Sequence, residues 1–296
     1  MTTEIKIYFG SVRCQSTYKN NKECRNMAYY RVIEDLPYRC GVHSRKDTRK
    51  ELPKDPNADK KKEDAIKLHN QSVEKATQEN RIKNIKGKVV CSKLKMFGGF
   101  EQLDGYLNVF PNNKHQKRID GFGCSSLSPM RLGPVVHNQP GLPIAKNIEN
   151  FHQGNKVFPS EIDDKGNPLP IFYQTQKDMY LDDIPHRHKT IPIAPKNVPV
   201  YSIWVEKDGS EKRCSYLESR KYYCRFYEEL AHQTDDFKKL KSIIDEGTNI
   251  NLIGYDGYRV TKTIKEHYLD ASRPFGHELV LYTLLTVEPK NYPWRI

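Results

Sequence analysis

Apolar positions recur at helical spacing over residues 219–232 and again over 235–246. Tyr223, Tyr227, Leu230 and Ala231 share one face of the first segment, and Phe237, Leu240, Ile243 and Ile244 share one face of the second. The second carries Asp235 and Asp236 in its first turn and Gly247 as its stop, as helix termini favour. Asn249–Ile253 is a short apolar run that predicts a buried strand, ending in GYDG at residues 254–257. The stretch RPFGHELVLYTLLTV then opens at a turn and becomes a helix with Leu281, Leu284 and Leu285 inward. Upstream, the β-rich segments Pro199–Val205 and Lys212–Leu217 flank Asp208-Gly209, which predicts a hairpin with a type I′ turn.

Earlier in the chain the pattern is broken more often. Glycines at 98, 99, 105, 121, 123 and 133 punctuate short segments holding Phe97, Phe100, Tyr106, Val109, Phe110 and Phe122. These read as strands and tight turns leading into a helix over 147–156. On that helix Glu149, His152, Gln153 and Lys156 share a stripe, because positions three, four and seven apart lie on one face. Ile148 and Phe151 project beside it as anchors. A carboxylate, an imidazole, an amide and an ammonium together suit a pocket wall; a plain surface helix with a Glu149–Lys156 pair is the alternative. Residues 159–198 are proline-rich, contain His186, Arg187, His188 and Lys189, and predict a long irregular excursion of the kind that forms lids or binding arms. The His-x-His pair is not taken as a metal site.

Composition adds less. The mean hydropathy is −0.80, yet 18 Tyr, 11 Phe and 2 Trp are enough for a globular core. No apolar run approaches the roughly 18–20 residues of a membrane helix, and the start MTTEIKIYFG lacks the regions of a signal peptide. A soluble, intracellular protein without membrane partners is expected. Charge is uneven: residues 1–100 hold 23 Lys+Arg against 12 Asp+Glu, an excess of +11 within the total of +12. A basic first third suggests contact with a polyanion; a solvated lysine-rich linker explains the same excess.

The first segment holds Cys14, Cys24, Cys40 and His43, spaced C-x9-C-x15-C-x2-H. Three thiolates and an imidazole make a complete tetrahedral set for a structural Zn2+. With few aliphatic residues nearby, the metal would supply most of the folding free energy. Arg13, Arg25, Arg31, Arg39 and Arg45 interleave with Tyr18, Tyr29, Tyr30 and Tyr38, a mixture that fits phosphate contact and base stacking on DNA or RNA. The lone Cys91, Cys124, Cys214 and Cys224 read as core thiols. Together these predict an α+β protein: a zinc-binding module over 1–46, a basic linker and helix over 47–88 (polar and proline-interrupted to 62, helical from about Lys61 to Lys86), and a mixed domain over 89–296.

Three segments, in order, resemble the NADAR family of NAD- and ADP-ribose-linked N-glycosidase-like proteins. LSPM-LGPV is similar to its strand-turn element, and N-I-E-N-F-H-Q-G-N-K is similar to its S-V-E-H-x-x-Q-x-x-K helix, matching Glu149, Gln153 and Lys156. Asn150 stands where the family has His. Arg220 through Gly247 resembles the family's next two helices; GYDG supplies the Asp as Asp256, and PFGHELVLYTLL the last helix, without the family's Trp and Asn. The resemblance spans roughly residues 120–290. The whole chain also resembles uncharacterised proteins of giant nucleocytoplasmic DNA viruses, which implies a host cytoplasm or viral factory. The family resemblance implies cleavage of an N-glycosidic bond in an ADP-ribosyl or nucleotide-like substrate, with Glu149 and Asp256 as the catalytic pair. It implies further that Arg131, Lys156 and Arg220 hold phosphate, with Gln153 on the same wall, and that His277 and Glu278 read ribose hydroxyls or a base edge. Two readings compete with hydrolysis: a non-catalytic zinc-containing nucleic-acid-binding or scaffold protein, and a pseudoenzyme that senses ADP-ribose.

Overall fold

The computed structural model describes residues 7–18, 21–32, 38–44, 49–96, 99–188 and 198–295. Arg45, Phe97, Gly98 and Lys189 therefore lie outside the described residues. The chain divides into two compact units, Met1–Leu68 and His69–Ile296.

In the first unit, β1 (Tyr30–Val32) pairs antiparallel with β2 (Tyr38–Arg39) and with β3 (Arg49–Glu51), in the order β2-β1-β3. The linker expected from residue 47 is thus in part a strand, and Leu52 after it is buried. An all-charged strand is invisible to a hydrophobic pattern; its register comes from Tyr30, which faces Arg39 on one side and Glu51 on the other. The helix α1 covers Ala58–Ile82, starting three residues before the expected Lys61. Its residues beyond Leu68 belong to the second unit, so the expected boundary at 88 is also displaced.

The second unit is built on β4 (Val89–Lys93), β5 (Leu107–Phe110), β6 (Phe122–Gly123) and, much later, β10. Between them come α2 (Ile148–Gly154), β7 (Lys156–Val157), α3 (Pro170–Leu181), β8 (Tyr201–Val205), β9 (Glu211–Cys214), α4 (Tyr216–Ala231) and α5 (Asp235–Asp245). Then follow β10 (Ile250–Gly254), α6 (Ile264–Leu269) and α7 (His277–Thr286). The four-stranded sheet is wholly parallel, in the order β4-β10-β5-β6, and β7, β8 and β9 form a separate antiparallel sheet. The fold is thus a mixture of helices and sheets.

Every residue of β10 is buried, as a central parallel strand requires. Successive side chains take opposite faces. Ile250 and Leu252 join the main core with Leu279, Val280, Leu281, Tyr227 and Leu240, whereas Asn251 pairs with Asn108 in register on a polar face. Residues 69–82 of α1 pack there: His69 Nε2 lies 3.3 Å from Asn108 Nδ2, and Asn80 Nδ2 donates to the Gly247 carbonyl at 2.7 Å.

Four local expectations need correction. The helix predicted over 147–156 stops at Gly154, because Asn155 folds its amide back onto the Phe151 carbonyl at 2.8 Å; Lys156 lies on β7 instead. The excursion over 159–198 contains α3, which Pro170 opens at a first-turn position where its missing N–H costs nothing. The helix expected from 219 begins at Tyr216, since Ser215 and Glu218 form a capping box, with Ser215 N donating to Glu218 Oε2 at 2.8 Å. The hairpin turn is not type I′: Gly209 donates its N–H to Glu206 O, Glu206 bonds Ser210 across the neck, and Gly209 alone takes a positive φ of 85°. That is a three-residue loop closed by a left-handed glycine.

Candidate functional site

In the amino-terminal unit the metal-binding atoms of Cys14, Cys24, Cys40 and His43 all lie within 4.8 Å of one another, and the three cysteines are buried. Cys24 and Cys40 sulfurs are 3.9 Å apart, and His43 Nδ1 is 3.5 Å from Cys14 Sγ and 3.4 Å from Cys40 Sγ. With Zn–S of about 2.3 Å and Zn–N of about 2.0 Å, a tetrahedron has S···S edges of about 3.8 Å and S···N edges of about 3.5 Å. The donor set therefore fits one such ion through Nδ1. Burial pushes the Cys14 and Cys40 thiols up, but hydrogen bonds outweigh it and both fall below the ordinary thiol value. The Tyr18 hydroxyl lies 3.6 Å from Cys24 Sγ and Asn26 Nδ2 donates to Cys40 Sγ at 3.7 Å, outer partners of the kind that tune thiolate ligands. Arg13, Arg25, Arg31 and Tyr18 are exposed in this unit; Tyr29, Tyr30, Tyr38 and Arg39 are half-buried.

The body contains a cleft of about 1100 Å³. It opens where β4, β5 and β10 end, with Lys93, Asn112 and Asp256 in its lining. The carboxyl ends of parallel strands are the usual place for ligands in such sheets, because the loops there diverge. From α2 and β7 the cleft receives Glu149, His152, Gln153 and Lys156. Gln153 ties this wall together: its amide donates to Glu149 Oε1 at 3.1 Å, and its oxygen accepts from Lys156 Nζ at 3.2 Å. Burial lowers the Lys156 pKa to about 8, with Arg187 adding to the shift and Glu149 and Asp256 opposing it. Burial, then Lys156, keeps the His152 imidazole well below its ordinary value; its ring packs on Tyr223, centroids 4.9 Å apart.

Asp256 follows β10, and Glu278 opens α7. Both line the cleft with Glu149. Asp256 is exposed, whereas Glu278 is 1% exposed and its Oε2 has no hydrogen-bond partner. Two glycines make room for it. A Cβ on Gly254 would fall 1.7 Å from Glu278 Oε1, and one on Gly276 would fall 2.9 Å from Glu278 Oε2 and 3.4 Å from Asp256 Oδ2. The two carboxylates thus approach one another across a gap that a methyl group would fill. His277 Nε2 donates to the Pro111 carbonyl at 2.7 Å, which leaves Nδ1 facing Glu278 Oε2 at 3.4 Å without hydrogen-bond alignment.

The expected phosphate-holding arginines are placed differently. Arg131 lies outside the lining, its Nε donating to Asn113 Oδ1 at 2.7 Å. Arg220 lines the cleft but is 4% exposed, and its guanidinium is taken up by the carbonyls of Tyr268, Asp270 and Arg273. It holds the loop before α7, with Tyr216 and Phe275 against its face. Arg187, Tyr223 and His186 line the cleft without having been chosen from sequence. The signal for Arg187 was its place in the proline-rich excursion. The neighbouring His188 is not a metal ligand in waiting: its Nε2 is 2.7 Å from Glu161 Oε1, a buried pair. Cys91, Cys124, Cys214 and Cys224 are all buried thiols.

No protein-family model, curated protein or solved structure matches the chain. Among the described residues no helix is long and apolar enough to cross a membrane.

Proposed function

We propose that the body is a NADAR-like N-glycosidase-type hydrolase acting on an ADP-ribosyl or nucleotide-like N-glycosidic bond. The observation that carries this reading is the convergence of Glu149, Asp256 and Glu278 with Lys156 in one large cleft outside the parallel sheet. Cleavage of a glycosidic bond develops positive charge on the sugar, which carboxylates stabilise while one of them activates water; the rule for O-glycosides extends to the N-glycosidic case by analogy. Glu149, oriented by Gln153, takes that role, with Asp256 as its partner. The unpartnered Glu278 Oε2 calls for a donor, and a ribose hydroxyl or a base N–H supplies one, since a buried acceptor left unpaired is costly. Glu149→Gln keeps the shape and removes the charge. Turnover of a panel of free nucleotides and ADP-ribosylated DNA and RNA should fall by on the order of a hundredfold or more, with folding retained. A folded variant with full activity would end the reading.

The Cys14, Cys24, Cys40 and His43 cluster is proposed to hold one structural zinc, because its donor distances fit a tetrahedral ion. The exposed Arg13, Arg25 and Arg31 beside Tyr18 favour weak contact with single-stranded nucleic acid from this unit. Affinity should then fall steeply between low and physiological salt. A flat salt response measured by fluorescence anisotropy would argue against phosphate contacts and leave a scaffold role.

A further inference from the structure

On the cleft wall around Gln153 stand two cations with no ion pair among the described residues, Lys156, which bonds the Gln153 side chain, and Arg187, whose neighbour His188 bonds the Gln153 carbonyl. Lys156 has only the neutral Gln153 amide as hydrogen-bond partner. Arg187 is near enough to push the Lys156 ammonium toward its neutral form. Two like charges on one wall repel each other, and an anion between them relieves that.

Arg187 is also held in place from both sides. On one side Asn150, fully buried on α2, donates through Nδ2 to the carbonyls of Asp182 at 2.9 Å and Ile184 at 3.0 Å, and accepts from His186 N at 2.9 Å. On the other side His188 donates from Nδ1 to the Gln153 carbonyl at 3.1 Å, and its Nε2 meets Glu161 Oε1 at 2.7 Å with both side chains buried. Glu161 in turn accepts from Phe158 N at 3.0 Å. The same helix that supplies Glu149 and Gln153 therefore clamps the segment carrying Arg187. Such a clamp removes the entropy cost of ordering a long side chain's backbone when a ligand arrives.

From this geometry we infer that Arg187 and Lys156 form a diphosphate subsite of the cleft, with Asn150 and His188 as positioning residues. A planar guanidinium fork beside a point-charge ammonium suits the several oxygens of a phosphoryl chain. The volume of about 1100 Å³ leaves room for the rest of a nucleotide-sized ligand. This inference rests on the nucleotide-like reading of the cleft, and replaces Arg131 and Arg220 as its anion holders.

The test is calorimetric titration of the full chain with inorganic pyrophosphate. Wild-type protein should bind it, and Arg187→Gln, an exposed change that leaves thermal unfolding unaltered, should weaken binding by about 10–100-fold, the worth of charge-assisted hydrogen bonds. Asn150→Ala should also weaken binding, but should have little further effect when combined with Arg187→Gln, because it acts through that side chain. A fully additive double variant would give Asn150 a merely structural role. No pyrophosphate binding to wild-type protein, or a change below about threefold in Arg187→Gln, overturns the subsite whatever the hydrolase assay shows. Conversely, pyrophosphate binding that depends on Arg187 in a protein without turnover leaves the subsite standing and removes only the catalytic reading.

Discussion

In Met1–Leu68 the buried apolar positions among the described residues are three cysteines, Ala28 and Leu52. In His69–Ile296 a single cluster gathers Phe151, Tyr180, Tyr227, Leu240, Leu281, Trp294 and many others. The first unit has almost nothing to exclude from water beyond a cluster of four side chains that could share an ion, so its order would depend on that ion. The second excludes enough apolar surface to hold groups that burial disfavours, and its cleft does so with the orphaned Glu278 Oε2 and the Lys156 ammonium. A small unit needs its chemistry in order to fold, whereas a large one folds first and can then give stability away at a site.

Metal removal is the strongest way to break that contrast. Binding of structural zinc is worth about 10–16 kcal/mol in small modules, so chelation should leave residues 7–52 protease-sensitive. Trp204 and Trp294, the two tryptophans of the chain, both lie in the body, so their emission should not change. Less than about half an equivalent of zinc in unchelated protein would sink the metal reading, since such sites are normally filled. A shift in tryptophan emission on chelation would show that the body too depends on the ion.

A smaller effect is expected inside the body. Gly254→Ala puts a methyl group 1.7 Å from Glu278 Oε1, so the carboxylate must leave its cradle or the strand must move. Overpacking of this kind costs about 1–3 kcal/mol, read by urea denaturation with tryptophan fluorescence. A neutral result would mean that Glu278 swings away freely and is not held for a ligand.

A third effect is a slope. Lys156 titrates at about 8 in the folded chain against an ordinary lysine value of 10.5, so between those values the unfolded state binds the extra proton. Its contribution to stability therefore rises as the pH increases from about 8 to 10.5, and is constant at its lowest below that window. Lys156→Met should lose this part of the slope. Identical profiles for the two proteins would show that the ammonium is well solvated.

Much of the body was legible because its signals are local. Periodicity and termini marked α4, α5 and α7, and a shared stripe brought Glu149 and Gln153 together even though the helix is shorter than expected. Asp256 and Glu278 were expected from the family resemblance, and both line the cleft. What escaped depended on distant partners or on residues with two meanings. The prolines of 159–198 read as a long irregular excursion, yet Pro170 opens α3. Arg220 looked like an anion holder because its carbonyl partners, at 268, 270 and 273, lie far along the chain. The cradle of Gly254 and Gly276 exists only when β10 and α7 meet. In the first unit the cysteine spacing showed the ligand set, while β3, three charged residues long, offered no pattern at all.

The position of β10 between β4 and β5 has a consequence for how the protein is made. The ribosome delivers β4 and β5 early, but the strand that joins them emerges about 140 residues later, roughly 7–28 s at 5–20 residues per second. Throughout that interval the nascent chain presents two strands whose shared neighbour does not yet exist, each an open edge for another chain to pair with. Assembly of the sheet must therefore wait for synthesis through Gly254. Those early strands are therefore an aggregation hazard during translation, until β10 is made.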